Sequence, residues 1–125
     1  MTDTLLLIGK DADPLETLAG DLIGLGYQPI LAGDGLSAQR ELSAQTPDLI
    51  LLDHPWPGDL GPEVLAAWMA EYPCLILCDE AHLEAAMAAL RLGAAEILVR
   101  PIDLGELVAA VRRVIDHALL YRQGE

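Results

Sequence analysis

Pro47-Asp48-Leu49-Ile50-Leu51-Leu52-Asp53-His54-Pro55-Trp56-Pro57-Gly58 is the stretch on which the fold turns. The unbroken apolar run at 49–52 has no polar face, so it reads as a strand buried on both sides, the pattern of a parallel sheet covered by helices. Pro47 punctuates its start, and Pro55, Pro57 and Gly58 make the following loop stiff. Asp53 stands where the apolar run stops, at the carboxyl end of a central strand.

The same punctuation recurs on either side. Apolar runs at 5–8, 74–78 and 97–99 predict three more strands, and 27–32 predicts another whose Pro29 cannot donate a ladder hydrogen bond and belongs at a sheet edge. Helical spacing fills the gaps. Asp13-Pro14 reads as an N-cap and first helical residue ahead of Leu15, Leu18, Ala19 and Leu22. Leu36, Ala38 and Leu42 mark a second helix, and Leu65, Trp68 and Met69 a third opened by Pro62. Leu83, Ala86, Met87 and Leu90 mark a fourth, closed by Gly93. The last carries Leu104, Leu107, Val108, Val111, Ile115 and Leu119, of which Leu104, Val108, Val111 and Ile115 are expected to pack on the sheet. Strands alternating with helices imply right-handed crossovers and an α/β, doubly wound parallel sheet with helices on both faces.

In such a sheet ligands sit beyond the carboxyl ends of the strands. Those ends supply Gly9, Lys10 and Asp11 after the first strand, Asp53 and His54 after the third, Cys78 and Asp79 after the fourth, and Arg100 after the fifth.

The chain has 125 residues, 7 basic against 20 acidic, for a formal net charge of −13, and 53% of it is apolar. That is one domain, 1–125, with enough apolar surface for its own core; 118–125 reads as the start of a linker helix. A polyanion gains nothing from a phosphate backbone and is repelled by anionic lipid, so the expected partners are proteins or small ligands, with no nucleic acid and no membrane. No apolar run approaches the ~20 residues of a membrane span, and nothing in the two cysteines demands an oxidising compartment, so the expected location is cytoplasmic.

From Pro47 to Asp53, then Pro57-Gly58, Gly61 and Glu63-Val64-Leu65, the chain resembles the receiver domain of two-component response regulators around its phosphoacceptor aspartate. Leu92-Gly93-Ala94-Ala95-Glu96-Ile97-Leu98-Val99-Arg100-Pro101-Ile102-Asp103-Leu104 is similar to that family's run into its last helix, and Gly26-Tyr27 and Ala32-Gly33-Asp34-Gly35 fit its second strand and turn. The resemblance implies a flavodoxin-like sheet of order 2-1-3-4-5 and phosphoryl transfer from a histidine kinase to Asp53 with Mg²⁺. It also implies what has changed. The acidic pair that helps hold the metal falls on Gly9 and Lys10, the hydroxyl residue on Cys78, the lysine on Arg100 and the aromatic switch residue on Ile97.

Asp53 against Lys10 and Arg100 gives a formal charge of about +1, partly offset by Asp11 and Asp79, which repels a hard divalent cation that wants oxygen ligands. No cofactor is therefore expected and Mg²⁺ binding should be weak or absent. Asp53 would instead be a fixed ion-paired carboxylate, with Lys10 where the metal would sit: a pseudo-receiver acting through protein contacts with a kinase or output domain, or as a homodimer through the fourth helix, fifth strand and fifth helix. The competing reading keeps Asp53 as a competent phosphoacceptor, with the Arg100 fork clamping phosphoryl oxygens.

A phosphatase with an aspartate nucleophile lacks its second acid, since Pro55 stands two residues on, and no Ser/Thr-rich loop follows the first strand to cradle a flavin phosphate. Cys74 and Cys78 lie in a buried strand with His82 beyond it, so they read as small core residues rather than metal ligands. His54 reads as a solvent-facing loop residue, and Trp56 as either a partner contact or an outer cap on the core.

Overall fold

The computed structural model describes the backbone of residues 2–123 and the side chains of residues 2–120. Five strands, β1 (Thr4–Ile8), β2 (Gln28–Ala32), β3 (Leu49–Asp53), β4 (Cys74–Asp79) and β5 (Glu96–Arg100), alternate with helices α1 (Ala12–Gly24), α2 (Gly35–Ala44), α3 (Pro62–Glu71), α4 (Leu83–Leu92) and α5 (Leu104–Gln123). A 3₁₀ turn, Glu80–His82, precedes α4. All pairings are parallel and the strand order is β2-β1-β3-β4-β5, the expected doubly wound arrangement.

Period-two alternation divides the buried side chains into two layers. Leu6, Ile8, Ile50, Leu52, Cys74, Ile76 and Cys78 join residues of α2, α3 and α4 in one core. Leu5, Leu7, Leu49, Leu51, Leu75 and Leu77 pack with α1 and α5 in the other. Both faces of every central strand are thus dry, which is why their sequences are continuous apolar runs. β2 lies at the edge as Pro29 requires, and Gly93 closes α4 at φ +125°, a conformation costly for any residue with a Cβ.

Three details depart from the sequence expectation. Asp11, not Asp13, precedes the first turn of α1, so Pro14 sits within that turn, where its missing N–H is not needed. In α4 the buried residues are Ala86 and Ala89, while Met87 and Leu90 are 43% and 42% exposed. The helix is rotated by about 100°, one residue, because two alanines allow close approach to the sheet that larger side chains would prevent. In α5 the buried stripe is Leu107, Ala110, Val111, Val114 and Ile115, with Val108 half-buried and Leu104 facing out. The helix runs on to Gln123; residues 124 and 125 lie outside the described residues.

The loop after β3 is fastened to α2. Asp34 caps that helix by accepting from the Ser37 N–H at 2.7 Å. Asp59, from across the loop, accepts from the Gly35 N–H at 2.9 Å and the Leu36 N–H at 3.3 Å. A Cβ on Gly35 would lie 2.9 Å from Leu60 and 3.0 Å from the Asp59 carboxylate, so glycine is demanded by close approach. Asp59→Ala should lower stability by about 1 kcal/mol, the usual worth of a helix cap, readable as a shift in urea midpoint with unchanged slope.

Candidate functional site

Asp53 ends β3 and is 7% exposed, the one buried polar or charged side chain among the described residues. Burying a carboxylate is costly unless something of opposite charge meets it. Here Arg100, at the end of β5, reaches across β4 to do so: its Nη2 pairs with Asp53 Oδ1. Nη1 donates to Asp79 Oδ1 at 3.1 Å and to the His54 carbonyl at 3.4 Å. One planar guanidinium therefore ties together the carboxyl ends of three adjacent strands. Partial burial lowers its pKa, but from a value so high that the charge persists.

Asp53 and Arg100 stand at the base of a cavity of about 850 Å³ between α1 and α5, walled by Leu18, Leu77 and Ile102. Gly9 is packed against this site: a Cβ there would lie 3.2 Å from the Asp53 Cβ and 3.2 Å from Leu15. Lys10 is exposed, its backbone N–H donating to the Pro55 carbonyl at 3.4 Å, and the ion pair of Asp53 is made by Arg100 instead. Of the two cations expected to hold Asp53, Arg100 does so, and no ion pair of Lys10 is found among the described residues.

Asp11 is exposed at the start of α1, and Asp79 is spent on Arg100. Cys78 is not on the cavity wall. It belongs to the core beneath α2, α3 and α4, and burial pushes its thiol pKa up, with Asp79 adding to the shift. Cys74 is likewise buried, its thiol pushed up to about 12, and both cysteines are free. Ile97 is half-buried against the same core. Trp56 packs there too, half-buried, as an outer cap on the core would.

His54 departs from the sequence expectation. Rather than facing solvent it is half-buried, with its ring 4.7 Å from Trp56 in an edge-to-face contact and 4.9 Å from the ring of His82. The two histidines lie 28 positions apart in sequence, so no local pattern announces the contact.

A sequence profile described as the response regulator receiver domain matches residues 6–112. The chain belongs to that family. It is similar to the transcriptional regulatory protein PrrA of Mycobacterium tuberculosis, 34% identical over 122 residues covering 95% of this chain and 50% of PrrA. It is also similar to the DNA-binding transcriptional regulator NtrC of Escherichia coli K12, 33% identical over 114 residues, 89% of this chain and 24% of NtrC. Among solved structures, NtrX of Brucella abortus superposes with a TM-score of 0.89 at 25% identity, over 98% of this chain and 29% of NtrX. A receiver domain protein of Clostridium thermocellum superposes at 0.83 with 21% identity, 95% of this chain and 98% of that one, a likeness of fold. The chain spans about half the length of the curated relatives it matches first.

As a receiver, the domain invites a test for Mg²⁺. Its residues do not fit the ion. Gly9 has no side chain, Lys10 brings a positive charge, Asp53 Oδ1 is already held by Arg100, and among the described residues no three acidic, histidine or cysteine side chains converge to hold a metal. The receiver has no described helix long and apolar enough to cross a membrane.

Proposed function

We propose that this receiver domain is a degenerate one, acting in two-component signalling by protein–protein contact while Arg100 holds Asp53 in a single state. The supporting observation is the ion pair itself: the carboxylate that would accept a phosphoryl group is neutralised by a side chain of its own fold. Phosphoryl transfer depends on a metal and cations to neutralise the transferring oxygens, and a site without acidic ligands forgoes the larger part of that stabilisation. The domain would turn over no substrate of its own. Its partners would be a histidine kinase or an output domain, in the cytoplasm, and its surface charge makes the domain itself a poor ligand for nucleic acid. Exposed Met87, Leu90 and Val99 support self-association through α4, β5 and α5.

One observation favours a second reading. Asp53 reaches the cavity beside a forked guanidinium, and such a fork matches the oxygens of a phosphoryl group as well as those of a carboxylate. A competent receiver phosphorylated on Asp53 would use Arg100 that way. Intact mass after incubation with acetyl phosphate, with and without Mg²⁺, separates the two. The degenerate reading expects no added phosphoryl mass in either case; a Mg²⁺-dependent gain that disappears in Asp53→Asn establishes the second.

A further inference from the structure

The segment 54–60 runs past Asp53 and is fastened at several points. The His54 N–H donates to the Leu77 carbonyl at 2.8 Å, Pro55 accepts from Lys10, Leu60 donates to Pro57 at 3.0 Å, and Asp59 is held by α2. At the Asp53 end the fastening is aromatic. The His54 ring lies between Trp56, edge to face, and the His82 ring, tilted by 35°. His54 Nδ1 is buried, with no described side chain or backbone group hydrogen-bonded to it.

We infer that the adjoining His54–His82 pair is a proton-binding site whose occupancy frees the 54–60 segment from beside Asp53. A protonated imidazole carries an N–H on both nitrogens. At Nδ1 that new donor would be buried without an acceptor, and the added positive charge would face a second imidazole 4.9 Å away. A buried Nδ1 without a partner favours the neutral tautomer with its hydrogen on Nε2, so the incoming proton goes to Nδ1 and finds an acceptor once the ring turns out to water, leaving Trp56 and His82. The His54 carbonyl moves with it, and that carbonyl is one of the three acceptors of Arg100. Proton uptake is thereby coupled to the clasp on Asp53, a consequence that rests on the reading of Asp53 as held by Arg100; the opening of the segment does not.

The charged groups around the pair are mixed. Asp53 and Arg100 end β3 and β5, Asp79 ends β4, Glu80 shares the 3₁₀ turn with His82, Glu84 lies in the first turn of α4, and Lys10 lies on the loop whose backbone meets Pro55. Burial first and His82 second lower the pKa of His54, and Asp79 opposes them, so the net direction agrees with resistance to protonation in the closed form. Because the folded value lies below the ordinary one, the closed form is fully favoured above the ordinary imidazole pKa of about 6.5 and loses ground as pH falls through and below it.

The test is an NMR titration of the whole chain from pH 8 to pH 5, following the His54 and His82 ring protons and the Trp56 indole N–H. The expected result is a Trp56 transition that shares the His54 midpoint, below about 6.5, with the open-to-closed ratio rising up to about tenfold per pH unit below it for one coupled proton. His82→Gln should move the midpoint up and His54→Gln should abolish the Trp56 transition. A Trp56 signal that stays flat while His54 titrates, or one that persists in His54→Gln, overturns the proposal. Should His54→Gln fail to fold, the wild-type coincidence and the His82→Gln displacement decide alone. Acetyl phosphate labelling at pH 8, above the ordinary imidazole pKa of about 6.5, reads the other proposal separately: labelling there removes the Arg100-held reading and leaves the titration intact.

Discussion

Arg100→Ala should lower the free energy of unfolding at neutral pH by about 2–3 kcal/mol. Removing one partner of a buried ion pair ordinarily costs about 3–5 kcal/mol because the other charge is stranded. Asp53 is nearly enclosed, but Arg100 is one-third exposed, so water reaching the vacated space recovers part of that cost. Urea denaturation should show the loss, and the control lies in the pair: Asp53→Leu combined with Arg100→Met removes both charges and should recover most of the stability lost by Arg100→Ala. A single Arg100→Ala change within about 0.5 kcal/mol of wild type would mean that Asp53 is solvated and the clasp carries no energy.

The second large effect concerns chemistry. Gly9→Asp, Lys10→Asp and Arg100→Lys together restore the acids and the lysine that the family resemblance places at those positions. Labelling of Asp53 by acetyl phosphate should then rise by at least about 100-fold and become Mg²⁺-dependent, since one lost electrostatic element of a transition state commonly costs about 10²–10³ in rate. Arg100→Lys alone should gain little, because the ligand oxygens would still be missing. The obstacle is steric: the Cβ that Gly9→Asp introduces would sit 3.2 Å from the Asp53 Cβ and from Leu15, close enough that these neighbours must yield by a few tenths of an ångström. Unchanged labelling in the correctly folded triple variant would show that more than the charge pattern has been lost.

Much of the architecture was legible in the chain. Runs such as 49–52 and 74–78, short and bounded by proline or a charged residue, read as strands with two dry faces, and Pro29 put β2 at an edge. The rotation of α4 was not, because Ala86 and Met87 both satisfy a helical period and only the fit against the sheet selects between them. At the site, the residue types and their places at the strand ends were readable, and so was the idea of an ion-paired Asp53. Which cation pairs with it was not. Lys10 is near in topology yet exposed, whereas Arg100 crosses a strand to meet the carboxylate. The contact between His54 and His82 joins the ends of β3 and β4, and nothing in the spacing of either segment encodes it.

The edge position of Pro29 bears on how the molecule behaves in a crowded solution. Gln28 gives its N–H to Asp3, toward β1, so the following residue's nitrogen points away from the sheet, and there proline offers no hydrogen. An incoming strand from another molecule finds that rung of the ladder missing and cannot zip along β2. The opposite margin, β5, begins and ends with charged residues, Glu96 and Arg100. A chain with 53% apolar residues and continuous leucine-rich strands is rich in the material of fibrils; one blunted margin and one charged one leave it few places from which a fibril can start.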